Sequence, residues 1–442
     1  MEAEDDGNQL LVLGLCLFVM PTIGWLTSAA FASGDEANLV AEMVVAGYLI
    51  GALIFVIIVG SPRLAGTDRS RMSLIFGPSA RLVMVLLAAS VLVQAGLLIY
   101  SLFTLEASTI GRVHGGIMLA VGLGALFACY ALIRSAFAFF RVEPMVVRAS
   151  RSQSTELRHR VDDIADRLGS QRPDHIIIGL EPNFFVTSAP AKLMGSGEDL
   201  HGTTLFVSLG LMRILSEEEF NAVIGHELGH FRGSDTVYSL KFAPTYSRLS
   251  HALAVLSQST ESAADLGRLP AVVALSAYLT RFATSERTVG RERELIADQA
   301  GASVSSPKAL ATALLKVALF SENWDWLTHQ HVAALGEGRT YNRLGSTFTE
   351  ASKLAKDADW VSLRNSVAAT VQAHPIDTHP TFAERVQALG LSADAFEACD
   401  CDHPAIASIV LEPEADALDE QLSDLEANWL LAIGAARLPE AA

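Results

Sequence analysis

Four stretches of the chain, residues 9–31, 43–60, 82–105 and 113–133, run with almost no charge, and each reaches the roughly 18–20 apolar residues that a helix needs to cross a bilayer core. Helices this long and apolar on every face are a poor fit to the half-buried helices of a water-soluble protein. Residues 1–141 are therefore expected to form a four-helix transmembrane domain. Half of all residues are hydrophobic and only 18% are charged, the balance expected of a membrane segment joined to a polar domain.

The first apolar stretch follows Glu2, Glu4, Asp5 and Asp6, where an export signal would carry Lys or Arg, so it is expected to stay in the mature protein. Arg63, Arg69, Arg71 and Arg81 lie between the second and third stretches, and Arg134, Arg141, Arg148, Arg151, Arg158 and Arg160 follow the fourth. The N-terminus and the first connector, with Asp35 and Glu36, have no basic residue. The positive-inside rule then predicts an outward N-terminus, four crossings and a cytoplasmic chain after residue 141, in a multi-pass protein of the inner membrane. A net charge of −17 belongs mostly to the polar part and excludes a nucleic-acid surface, since no basic face is clustered. Of four cysteines, Cys16 and Cys129 lie in apolar stretches and only Cys399 and Cys401 in the polar part, which gives no disulfide framework. The run Cys399-Asp400-Cys401-Asp402-His403 reads as a surface loop, because a Cys-x-Cys pair alone does not close a tetrahedral metal site.

After residue 142 the pattern changes. Leu157, Val161, Ile164 and Leu168 recur at helical spacing over 155–169, and short β-type runs follow at 175–179, 183–187 and 203–209. An α+β domain with a small antiparallel sheet is expected over 142–390. Its centre is Asn221-Ala222-Val223-Ile224-Gly225-His226-Glu227-Leu228-Gly229-His230. On a helix, His226 and His230 share a face one turn apart, so two imidazoles can converge on one Zn²⁺ at about 2.0–2.1 Å. Glu227 is then placed as the base that takes a proton from water. Ser216 with Glu219 predicts a capping box at the start of this helix. The strand at 203–208 just before it offers a sheet edge to which an extended peptide can add, the alternative being a purely structural strand.

Residues 231–284 are interrupted by charges and prolines and are expected to form a helical hairpin lying on or dipping into the membrane, with packed soluble helices as the competing arrangement. A charged helix follows over 285–302, where Glu294 and Asp298 share a face. Glu294 can complete a His₂Glu site that leaves one position open, and Asp298 can orient a ligand histidine.

His-Glu-Leu-Gly-His followed by Glu-Leu-Ile-Ala-Asp at 294–298 resembles the membrane zinc metallopeptidases of the HtpX and type I CAAX prenyl protease group. Asp235 matches an acidic position that follows the motif there, and Thr378-His379-Pro380 with Arg385 resembles the group's His-Pro…Arg element. The resemblance covers roughly residues 150–390, with gluzincin-type ligands. It implies His226, His230 and Glu294 as ligands of one Zn²⁺ per chain, Glu227 as catalytic base, Asp298 behind a ligand, and His379 and Arg385 as catalytic contacts to substrate backbone or oxyanion. An imidazole and a guanidinium can both donate to a developing oxyanion; His374, in a second His-Pro pair, rivals His379. The sequence departs from the HtpX type in placing four apolar stretches before the motif, where that type has two before and two after.

The reading is an integral membrane zinc endopeptidase that cuts membrane or membrane-proximal polypeptides in protein quality control, its partners being polypeptide substrate and lipid bilayer. Two alternatives remain at this level: a sensor protease that cuts a cytoplasmic regulator, and a non-catalytic scaffold. The acidic residues beyond 405, unbalanced by basic ones, set 391–442 apart as a solvated or partner-binding acidic tail.

Overall fold

The computed structural model of the chain describes residues 2–66, 69–137, 144–231, 245–246, 249–258, 264–354, 361, 365, 380–392 and 403–437. They fall into two compact units, residues 1–141 with 237–289 and residues 142–236 with 290–442. The fold class is as expected: mainly α, with four long apolar helices first and small sheets later.

In the first unit, α1 (Glu2–Phe31), α2 (Gly34–Ala65), α3 (Arg69–Leu105) and α4 (Gly115–Phe137) each outrun the apolar stretch that predicted them. Among the described residues these four are long and apolar enough to cross a membrane. Leu13, Ile54, Phe76, Leu87 and Val121 fill their common core. Their outer faces are apolar as well: Leu49 is 66% and Leu119 64% exposed, positions that water would penalise and hydrocarbon does not. Hydroxyls inside pair across helices, as in the buried contact of 3.0 Å between Thr27 and Ser101. Four crossings return a chain to the side on which it began. An outward N-terminus is therefore incompatible with four spans and a cytoplasmic chain after residue 141. The sequence reading went astray because orientation is governed by Lys and Arg, and acidic residues such as those at 2–6 contribute little to it.

The expected hairpin at 231–284 lies partly outside the described residues. Its described parts, residues 249–257 and the start of α8 (Ala264–Val304), are helical, and Leu249, Leu256, Tyr278 and Phe282 share the core of the first unit.

The second unit is built on a four-stranded sheet in the order β2 (Ala149–Arg151), β3 (His175–Gly179), β7 (Thr204–Ser208), β4 (Phe185–Thr187). A smaller sheet has the order β1 (Met145–Val147), β5 (Ala191–Leu193), β6 (Asp199–Leu200). Neither is wholly antiparallel, as had been expected. β3 pairs parallel with β7, because the long connection between them, which contains β4 to β6, allows the crossover that a parallel pair requires. Central placement explains the composition of this pair: every residue of β7 is buried, and Ile176, Ile177 and Ile178 are buried in β3. α5 (Thr155–Leu168) lays Leu157, Val161, Ile164 and Leu168 against the core. Its first turn is capped by the Ser154 hydroxyl, which accepts from the Leu157 amide at 3.1 Å.

Residues 406–437 fold into this unit and are not a solvated tail. α13 (Ala415–Ala432) buries Leu422 in the main core. Its acidic residues find their cations in distant parts of the chain. Arg343 bonds Asp416 and Glu420, Arg213 bonds Asp416, and Arg148 lies 3.1 Å from Glu426 and 3.7 Å over the Trp429 ring. Asp419 is fully buried and accepts from the Gly345 and Ser346 amides, each at 2.8 Å, capping α10 (Leu344–Lys353).

Candidate metal centre

The motif helix is α7 (Glu217–Gly229), and its start is fixed as the local sequence predicts. Ser216 Oγ accepts from the Glu219 amide at 3.1 Å while Glu219 Oε2 accepts from the Ser216 amide at 2.8 Å. Glu219 is buried, and Lys316 Nζ, itself fully buried on α9 (Pro307–Gly336), donates to Oε2 at 2.9 Å. His403 Nε2 lies 3.1 Å from the same ammonium.

Close backbone approach then brings α7 to the second half of α8. A Cβ on Gly301 would stand 2.4 Å from the Ala222 carbonyl oxygen, and one on Gly229 would stand 3.0 Å from Ala300 Cβ and 3.2 Å from Ala297 Cα. No larger side chain fits there without moving backbone. The spacings Gly225-x-x-x-Gly229 and Ala297-x-x-x-Gly301 were the available sequence signal for this contact, and sequence reasoning passed over them.

The approach sets Glu294 against both histidines. His226 Nε2 lies 3.6 Å from Glu294 Oε2, and His230 Nε2 lies 3.5 Å from Glu294 Oε1. Donor atoms from the three side chains all lie within 4.8 Å of one another. Tetrahedral ligands at zinc distances sit about 3.3 Å apart, so this set fits a single ion of zinc's kind with little adjustment. Its chemistry fits as well: two imidazoles and one carboxylate suit a borderline transition metal. Burial, together with the neighbouring His226, lowers the His230 pKa to about 3, so that imidazole is neutral and its lone pair is available.

Asp298, also fully buried, holds His226 from behind, with Oδ1 at 3.0 Å from Nδ1. That contact fixes the proton on Nδ1 and turns Nε2 toward Glu294. Arg385, on α11 (Phe382–Ala388), grips the same carboxylate with Nε to Oδ2 at 2.9 Å and Nη2 to Oδ1 at 2.5 Å. Burial alone would raise the Asp298 pKa; the bonds from Arg385 and His226 outweigh it and hold the carboxyl below its ordinary value. The resemblance gave Arg385 to the substrate, whereas two of its donors are committed to Asp298.

Glu227 is outside the ligand set and beside it. Burial pushes its carboxyl up to about 7, the His226 charge opposes this, and the backbone N–H of Val186 on β4 bonds it. β4 is the edge strand of the sheet on this side, while β7, the strand expected to offer an edge, lies between β3 and β4. With partners on both sides β7 has the structural role that was the alternative reading of this run, and runs as apolar as this belong to sheet interiors.

The structure thus brings together His226, Glu227, His230, Glu294, Asp298 and Arg385. Asp235, His374, His379, Cys399 and Cys401 lie outside the described residues.

What the fold and this cluster define together is a metallopeptidase built into a membrane. Residues 151–392, more than half of the chain, match Peptidase family M48, and the chain belongs to that family. It is similar to proteins named Protease HtpX homolog. The one from Archaeoglobus fulgidus is 25% identical over 324 residues, 69% of this chain and 92% of that relative. The one from Thermococcus kodakarensis is 31% identical over 175 residues, 37% of this chain and 57% of that relative. The one from Trichormus variabilis is 29% identical over 215 residues, 46% of this chain and 70% of that relative. Among solved structures, the crystal structure of S. mikatae Ste24p is similar at 13% identity, covering 86% of this chain and 99% of that one, with a TM-score of 0.31, too low to compare the folds.

Proposed function

We propose that the chain is a zinc-dependent endopeptidase that cuts membrane or membrane-proximal polypeptides at the cytoplasmic face of the inner membrane, in protein quality control. The observation that carries this reading is the division of labour on α7: two imidazoles face Glu294 while Glu227 stays out of the ligand set and next to it. A purely structural site has no need of that fourth side chain.

His226, His230 and Glu294 would hold the ion, which when bound supplies Lewis-acid polarisation of the scissile carbonyl and acidifies water. Glu227 takes the proton of the attacking water and returns it to the leaving amine; a carboxyl near neutrality before the ion's charge lowers it is suited to both transfers. Asp298 holds His226 in the tautomer that binds metal, and Arg385 holds Asp298. Arg385 Nη1 is the donor left for a substrate carbonyl, with His379 as the second contact. β4 offers the strand edge along which an extended peptide aligns next to Glu227. The cytoplasmic side is supported by the basic residues at 63–81 and from 134 onward, which fall on the same side under four crossings. The quality-control role rests on the likeness to the HtpX group.

The test uses the full-length protein in lipid nanodiscs with casein as substrate. Glu227→Gln should lower cleavage by about 10³-fold or more while zinc content measured by mass spectrometry stays at one ion per chain. Retained cleavage, or a wild-type protein without zinc, overturns the reading.

A further inference from the structure

A cavity in the first unit carries chemistry that proteolysis does not use. It measures about 290 Å³ and is walled by α1 at Leu15, Cys16 and Val19, by α3 at Gln94 and Leu98, and by the first turns of α8 at Pro270. For scale, an apolar cavity of about 150 Å³ already takes up benzene. Leu15 and Val19 at its margin are 53% and 37% exposed, so in a bilayer the cavity borders hydrocarbon. Both walls meet it in mid-span, α1 crossing over Leu10–Phe31 and α3 over Leu74–Thr109.

Gln94 is the polar group at its base. The side chain is only 3% exposed, and Nε2 donates to Ser90 Oγ at 3.0 Å. Oε1 is buried and has no partner among the described residues. An amide oxygen left bare at bilayer depth is costly, and water is a poor remedy, since a buried water needs two to four polar partners and the apolar walls offer one. A phospholipid headgroup carries charge that does not reach mid-membrane cheaply, and a peptide backbone would bring more polar groups than the walls can satisfy. What matches is a hydrocarbon body with one group able to donate. A hydroxyl, donor and acceptor at once, satisfies this amide whichever of its two heteroatoms faces the cavity.

We propose that this cavity binds a neutral membrane lipid whose polar part is a hydroxyl, held by a hydrogen bond to the Gln94 amide. Two sources share that chemistry, a diacylglycerol and a long-chain alcohol.

The experiment uses full-length protein in nanodiscs with photoreactive diacylglycerol and photoreactive hexadecanol in separate arms, and a photoreactive fatty methyl ester, which lacks the hydroxyl, as the control. Labelled peptides are mapped by mass spectrometry, and alkylation of Cys16 by N-ethylmaleimide is followed in parallel. Labelling concentrated on residues 15–20 and 91–98 at least fivefold above the ester, with slower Cys16 alkylation when the lipid is present, is the expected result; the arm that labels identifies the source. Gln94→Leu, close in size and apolar, should abolish that preference, and Ala95→Phe should fill the cavity and remove labelling altogether. The proposal is overturned if the ester labels as well as both hydroxyl lipids, if labelling scatters over outward residues such as Leu49 and Leu119, or if Ala95→Phe labels like the wild type. Should Gln94→Leu fail to fold, the Ala95→Phe and ester arms decide alone.

Discussion

The two units are stabilised by different means. The first is packed mainly from apolar side chains that are much alike, its buried polar groups being few: hydroxyl pairs such as Thr27 with Ser101, the Gln94 amide, and Arg268 beside Asp265. The second buries whole charges and matches each one: Lys316 with Glu219, Asp298 with Arg385, Asp419 with two amides. In hydrocarbon a leucine gains little from one neighbour over another, so such a unit tolerates exchange. A buried ion pair tolerates little, because removing one partner strands the other.

The contrast is broken or sharpened by measurement. Lys316→Met should have the largest effect, about 3–5 kcal/mol, as it leaves the Glu219 carboxylate buried at the start of the metal helix. Denaturant or thermal unfolding of the variant measures this, and a loss below 1 kcal/mol would remove the distinction between the units. Gly301→Ala should cost about 1–3 kcal/mol by overpacking α7 against α8, with a drop in bound zinc that titration detects. Asp298→Asn should lower metal affinity, read by zinc titration, by about 10- to 100-fold, and should also cost stability in the metal-free protein because it strands the Arg385 guanidinium.

Glu227→Gln should act in the opposite direction on the metal-free protein. A carboxyl raised to about 7 in the folded state contributes stability that is fully present below its unfolded pKa, near 4.5, and is lost as pH rises through 7. The amide does not ionise, so the variant should unfold at a higher temperature than the wild type at pH 8 and at nearly the same temperature at pH 5. The gain is bounded by a few kcal/mol. Equal melting at both pH values would show that Glu227 titrates normally. Leu119→Ala in the first unit should change stability by no more than about 0.5 kcal/mol; a large loss there would mean that its outward face is packed against something.

Legibility followed the same division. The four apolar helices could be read because hydropathy over twenty residues depends on no partner. That His226, His230 and Glu294 come together could be read because metal-ligand chemistry restricts residue types and the motif fixes the spacing of the histidines. The acidic run after 405 was misjudged because its cations, Arg148, Arg213 and Arg343, come from the far side of the sequence. That β7 is interior and β4 the edge was hidden for a related reason, since strand order is a property of pairing that no single run reveals. Arg385 was recognised by its motif, but its grip on Asp298 depends on how α11 and α8 meet.

One continuous helix, α8, has its opening turns among the apolar packing and carries Glu294 and Asp298 near its other end. The peptidase portion is consequently an interrupted piece of the polypeptide. Trimming residues from the front would not give a freestanding soluble enzyme, because Leu249, Leu256, Tyr278 and Phe282 would be left behind with their greasy surfaces stripped of cover. Anyone wanting such a fragment would have to excise an internal segment and splice the ends, cutting through the very rod that carries Glu294.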